Sequence, residues 1–284
     1  MKEILLDTLL DCGKLTIFLF LTYLIMELLE HKSKDQLNKT VQKAGRVGPL
    51  LGGIFGIIPQ CGFSTAASNL YAGRMITAGT LLAIYLSTSD EMLPIMIYNA
   101  VEPLTIVKIL GLKAAIAVIT GFIIDIAAHV LFHKKDLSVD IHQVCEEEHC
   151  HCEDGPLISA IKHTLKVLLY IFAISLFLNT VIGLLGEQTL AGFFTTIPVI
   201  GHLAAAIVGL IPNCASSVVI TELYLDGIIS FGATMSGLLV NAGVGLLVLF
   251  RMNRHWKENI IILGLLFTSG VLWGMILEVF SIAL

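Results

Sequence analysis

The stretch GIIPQCGFSTAASNLY, residues 56–71, recurs as GLIPNCASSVVITELY at 209–224. Aligned without a gap, 56–97 and 209–250 are identical at 11 of 42 positions, at a constant offset of 153 residues. Gly56/Gly209, Pro59/Pro212, Cys61/Cys214, Ser64/Ser217, Tyr71/Tyr224 and Gly79/Gly232 are among the matched pairs. Both copies lie in apolar sequence. Each proline removes a backbone N–H and disturbs the turn before it. In hydrocarbon, such a break is tolerated only where it is buried in protein or lines a cavity. Paired breaks at corresponding positions of two halves point to a transporter's substrate site.

The rest of the chain supports that setting. Of 284 residues, 56% are hydrophobic and 14% charged, and mean hydropathy is +0.88, the composition of an all-α polytopic membrane protein. Apolar runs long enough to span occur at 15–29, 114–132, 167–185 and 260–277. No removable signal peptide is expected, because no short apolar segment with a small-residue cleavage site opens the chain. No basic patch with interleaved aromatics argues for nucleic acid, and no phosphate-binding loop argues for ATP hydrolysis. No nucleophile–base pair or cofactor motif is visible, so an enzyme is the least favoured class and no cofactor is expected beyond a transported ion.

The offset of 153 also matches Gly48 with Gly201, Gly111 with Gly264, Gly121 with Gly274 and Asp125 with Glu278. Two membrane repeats, 1–132 and 157–284, are therefore predicted around a polar linker, 133–156. Each repeat reads as a full helix, a broken helix, two short segments and a last full helix. That gives about ten membrane segments in all, on the ~20-residue span rule. The short segments fall near 75–88 and 91–101, then 227–240 and 242–250, as half-helices or re-entrant hairpins.

An odd number of crossings per repeat inverts the second. Charge gives an independent indication. Loop 31–46 carries five Lys or Arg and its counterpart 184–199 carries none, whereas 251–257 carries three and its counterpart 98–104 none. Basic short loops face the cytoplasm. Equivalent loops then lie on opposite sides of the cytoplasmic membrane, with the linker inside and both termini outside. Gly48, Gly52 and Gly56, and likewise Gly201, Ala205 and Gly209, form a small-xxx-small face, expected to bring the two broken helices together.

Polar residues cluster at the breaks. Gln60, Cys61 and Ser64 flank Pro59, and Asn213, Cys214 and Ser217 flank Pro212. If the halves face each other about a two-fold axis, Cys61 and Cys214 approach one another. Two thiols with amide oxygens and freed carbonyls suit a soft metal or a trivalent arsenical. The competing reading of each cysteine is a small buried hydrophobe. Asp90 and Glu91 follow Ser87–Ser89 between two apolar segments, Asn241 lies in the matching stretch, and Glu222 stands opposite Asn69. Intramembrane acids are functional hypotheses by default, and their oxygens suit hard ions such as Mn²⁺. For Asp90 and Glu91 a solvated turn at the membrane edge is the alternative. Asp125 and His129 share a helix face and, with Glu278, are candidates for a proton relay or for interfacial positions.

The linker holds His142, Cys145, His149, Cys150, His151 and Cys152 among acids. Such tracts bind metals, and a cytoplasmic location keeps the thiols reduced. The spacing suits an adaptable capturing segment more than a rigid zinc knuckle.

With G-x-I-P-Q-C-G-F-S, the S-T-S-D-E-M-L-P-I stretch and G-L-I-P-N-C-A-S-S-V-V-I-T-E-L-Y, the chain resembles the ten-helix heavy-metal exporters, described as manganese transporters and distantly similar to the arsenical permeases. The resemblance covers nearly all of 1–132 and 157–284. It implies efflux of a metal or metalloid and carries the motif onto Pro59, Gln60, Cys61, Ser64, Asp90, Glu91, Pro212, Asn213, Cys214, Ser217 and Glu222. The expectation is a secondary transporter exporting a divalent metal, Mn²⁺ ahead of others. The alternatives are an arsenical permease using Cys61 and Cys214, and a membrane metal sensor or channel with the linker as its sensing segment.

Overall fold

The computed structural model describes residues 47–58, 61–89, 91–132, 161–162, 164–173 and 198–280, with isolated helical positions between 13 and 24 and at 176 and 180. Among these, all regular structure is helical. In the first half lie α1 (Gly48–Phe55), α2 (Cys61–Ala72), α3 (Ala78–Ser87), α4 (Met92–Tyr98) and α5 (Pro103–Phe132). In the second lie α6 (Pro198–Gly209), α7 (Cys214–Leu225), α8 (Phe231–Val240), α9 (Gly245–Met252) and α10 (Trp256–Val279). Adding 153 to the limits of α2 and α3 gives the limits of α7 and α8.

Local chemistry sets these limits twice over. Thr77 and Ser230 are extended N-cap residues whose hydroxyls accept from Thr80 N–H (3.0 Å) and Ala233 N–H (3.2 Å), which starts α3 and α8. At the ends of α2 and α7 the chain turns through left-handed residues at equivalent positions, Arg74 (φ 57°) and Gly227 (φ 71°). The N–H groups of Met75 and Ile228 then reach back to the carbonyls of Leu70 and Leu223, a Schellman closure in both halves. Arg74 takes a conformation that glycine adopts freely, and its guanidinium is fixed by Glu258 at 2.8 Å.

The packing repeats as well. α5 lies along α3 and α10 along α8, with α1 and α6 wedged against those pairs. α3 and α8 meet at the centre. Between the halves the contacts are exchanged: α2 packs on α9, and α7 on α4. The stretches 103–130, 231–252 and 256–279 are long and apolar enough to cross a membrane. Only a third of the first and last is buried, against 89% of 231–252, so α5 and α10 are peripheral and α8–α9 central. Exposed Val107, Ile123 and Ile126 on α5, and Ile260, Ile261 and Leu272 on α10, form faces suited to lipid.

The small-residue face does something other than expected. Gly48, Gly52 and Gly56 lie against Thr80, Ile84 and Ser87 of α3, and Gly209 against Gly237 of α8. The face therefore seats each broken helix on the half-helix of its own repeat and does not join the two broken helices. Sequence shows which face is small; it does not show which neighbour uses it.

Asp125 and Glu278 have matching partners. Asp125 accepts from Gly79 N–H (2.9 Å) and Thr77 hydroxyl (2.6 Å), and Glu278 accepts from Gly232 N–H (3.0 Å). Each carboxylate sits on the positive N-terminus of a central half-helix. Asp125→Ala is expected to cost about 1–2 kcal/mol. Glu278→Ala, at an exposed side chain with one such bond, is expected to cost less. Thermal melts of the two variants in detergent check the order.

Candidate substrate site at the paired helix breaks

The second break, 210–213, is a short non-helical connection between two helices, and the described part of the first, 56–58, is likewise non-helical. α1 closes at Gly56 and α2 opens at Cys61; α6 closes at Gly209 and α7 opens at Cys214. Pro59, Gln60 and Asp90 lie outside the described residues, as do the side chains of Cys61 and Cys214 and the linker residues His142, Cys145, His149, Cys150, His151 and Cys152. Pro212 is half-buried in the second break. Asn213 is buried and extended (φ −149°, ψ 148°), and its side-chain oxygen accepts from Ala215 N–H at 3.4 Å as the N-cap of α7. Ser216 donates to Asn213 O at 2.8 Å, and Ser217 and Ser64 are buried one turn into α7 and α2. Both cysteines thus open helices with buried hydroxyls in the first turn at the positive helix end, a setting that attracts electron-rich groups.

The acids and amides are distributed unevenly. Ser87, Thr88 and Ser89 are buried, so the stretch leading to Asp90 runs through the interior, and half-buried Glu91 starts α4. Asn241, the C-cap of α8, is buried, and its Oδ1 accepts from Gly243 N–H at 2.9 Å. His129 is exposed. Glu222 is exposed on α7 and lines a cavity of about 430 Å³ with Pro94, Ile95, Tyr98 and Asn99 from the α4 side and Leu225 and Asp226 from its own.

At the equivalent interface of the other pair the space is closed. Asn69, opposite Glu222 in the repeat, is buried. Ser68 Oγ lies 2.7 Å from the carbonyls of Ser64 and Gly245 and 2.7 Å from Tyr85 hydroxyl, knitting α2, α3 and the start of α9 together. A Cβ at Gly245 would stand 2.8 Å from Ser64 Cβ, so only glycine permits this approach. Arg74 and Tyr71 reach Glu258 at 2.8 and 3.4 Å on the same side. Among the described residues, the α2–α9 interface is closely packed where the α4–α7 interface leaves a cavity.

Reading for paired motifs passes over Lys113. It is fully buried on α5, and its ammonium donates to the carbonyls of Thr88 and, at 3.1 Å, Leu238. Its signal is a cation inside an apolar run, where, unlike exposed Lys108 one turn earlier on α5, it is fully buried and carries the same weight as an intramembrane acid. His202 on α6 is likewise buried, and it also lies outside the motif copies. Among the described residues, no three His, Cys, Asp or Glu side chains converge in a cluster able to hold a metal ion. The arrangement offers amide, hydroxyl and carbonyl oxygens at the breaks, with carboxylates at the rim.

Residues 1–194 match the model of a family described as "Putative, 10TM heavy-metal exporter". The second copy of the motif, at 209–224, lies beyond the matched residues. No curated protein and no solved structure is significantly similar to the chain.

Proposed function

From the premise that this chain belongs to the 10TM heavy-metal exporter family, we propose that it is a secondary transporter exporting a divalent metal ion, Mn²⁺ ahead of softer ions, across the cytoplasmic membrane. The observation that carries the reading is the duplicated helix break, with buried polar residues opening α7 and lining α2, and with packing exchanged between the halves. That is the layout in which a substrate binds between broken helices and one repeat rocks against the other. Gln60, Asn213, Ser64 and Ser217 supply oxygens, with Asp90, Glu91, Glu222 and Asn241 nearby in the repeat. Proton movement on the carboxylates drives the cycle. The repeats are inverted, both termini lie outside, and the cytoplasmic linker captures metal for delivery to the breaks.

Purified protein in liposomes with an imposed pH gradient tests this. Saturable movement of Mn²⁺, with counter-movement of protons and none of As(III), is the expected result. Movement of As(III) alone would overturn it. A second reading has its own observation: the duplicated cysteines are the first residues of both α2 and α7. Thiols so placed suit trivalent arsenic. Cys61→Ser combined with Cys214→Ser separates the two. A manganese carrier keeps most of its flux, whereas an arsenical carrier loses it.

A further inference from the structure

The carbonyl ends of the two central half-helices are occupied by a cation that belongs to the chain. α3 ends at its C-cap Thr88 and α8 at its C-cap Asn241. The last carbonyls of a helix lack partners within it and form its negative end. Here those of Thr88 and Leu238 both accept from Lys113, which reaches in from α5. Burying an ammonium is costly, so the site must supply close oxygen dipoles in return. In broken-helix carriers, half-helix C-terminal ends are the positions that coordinate a coupling cation. The equivalent of Lys113 at the offset of 153 is Leu266, which is also fully buried. An aliphatic side chain therefore satisfies the packing at this position of the repeat, and the ammonium answers a different need.

We propose that the Lys113 ammonium fills a monovalent-cation site formed by the carbonyl ends of α3 and α8, and that this transporter therefore uses neither sodium nor potassium as a coupling ion. An ammonium has three donors and a single positive charge, and it takes oxygen ligands as a small alkali cation does. Being tethered, it holds the two half-helices together in every ionic condition. A free cation would do so only when bound.

The test compares melting temperature and metal flux in choline, sodium, potassium and methylammonium chlorides at constant ionic strength. The flux arm rests on the exporter reading, and the melting arm does not. The wild-type protein is expected to show the same melting temperature, within about 2 °C, and the same flux in all four salts. Lys113→Ala, which empties the site, is expected to melt roughly 10 °C lower in choline and to regain at least half of that in sodium, potassium or methylammonium. Wild-type protein that melts higher or transports faster in sodium or potassium than in choline overturns the proposal and requires no variant. A folded Lys113→Ala protein that gains nothing from any of the three cations overturns it too. Absence of metal flux in all four salts would sink the exporter reading while the melting arm still judges Lys113.

Discussion

Leucine at Gly121 or at Gly274 is expected to leave no folded, monodisperse protein. The two glycines are equivalents, on α5 and α10, where each outer helix crosses its central partner. A Cβ at Gly121 would stand 2.7 Å from the Gly79 carbonyl oxygen, 2.9 Å from Pro49 Cβ and 3.0 Å from Ala83 Cβ. A Cβ at Gly274 would stand 2.9 Å from Ser236 Cβ and 2.5 Å from the Gly232 carbonyl. These neighbours are backbone or Cβ atoms, so no rotamer change relieves the clash and the helices must move apart. The same shift would pull Asp125 from Gly79 N–H and Glu278 from Gly232 N–H. Alanine alone is expected to cost about 1–3 kcal/mol. A leucine adds three further carbons against a total stability of roughly 5–15 kcal/mol for a typical domain. The repeat supplies its own control. Gly111 and Gly264 are equivalents on the same two helices, and a Cβ at either would meet no atom within 4 Å. Alanine there is expected to gain up to about 1 kcal/mol of helix propensity. Size-exclusion profiles and melting curves of the four single variants decide the matter. A Gly121→Leu protein as well folded as Gly111→Ala would show that the crossing is not close.

How much of this was legible beforehand depends on how far apart the interacting residues lie. The ends of α1, α2, α6 and α7 follow from local signals, Gly56 with Pro59 and Gly209 with Pro212, and the repeat doubles each signal. The short central segments were also visible, because the polar Ser87–Ser89 run punctuates apolar sequence, whereas the N-caps Thr77 and Ser230 emerge only from the fold. The alignment of Asp125 with Glu278 could be read, but not its meaning. Their partners Gly79 and Gly232 lie 46 residues earlier, and only the packing of α5 on α3 and of α10 on α8 brings them into reach. The glycine face was legible as a face and misassigned as to neighbour, since small residues at a spacing of four carry no address. Lys113 escaped because a repeat search rewards what is duplicated, and Lys113 is where the halves differ. The open cleft between α4 and α7 is tertiary in origin: it joins Tyr98 and Asn99 to Glu222 and Asp226 across the two halves.

That cleft yields the second large effect. Glu222→Gln is expected to lower metal flux by more than about tenfold, the loss of one charge-assisted contact of about 1.5–3 kcal/mol. Stability should change by no more than about 0.5 kcal/mol, because the side chain is exposed. Wild-type flux from a folded Glu222→Gln protein would remove it from the pathway. The asymmetry of the clefts adds a readout independent of chemistry at Glu222. Asn69 occupies the equivalent position in the shut cleft between α2 and α9, buried beside the Ser68–Tyr85–Gly245 network. If the two interfaces exchange roles during transport, a cysteine at 222 reacts first with a water-soluble thiol reagent, at least about tenfold faster than one at 69, as expected for a dominant conformer. Metal with an imposed gradient should then raise the rate at 69 and lower it at 222 together, because opening one cleft closes the other. Site-resolved labelling by mass spectrometry distinguishes these positions from the native cysteines. Rates at 69 and 222 that move independently, or an Asn69→Cys side chain that reacts as fast as Glu222→Cys without metal, would mean that the two clefts are not alternative states of one movement. The cavity would then be a fixed vestibule, and the rocking of repeats would lose its structural basis.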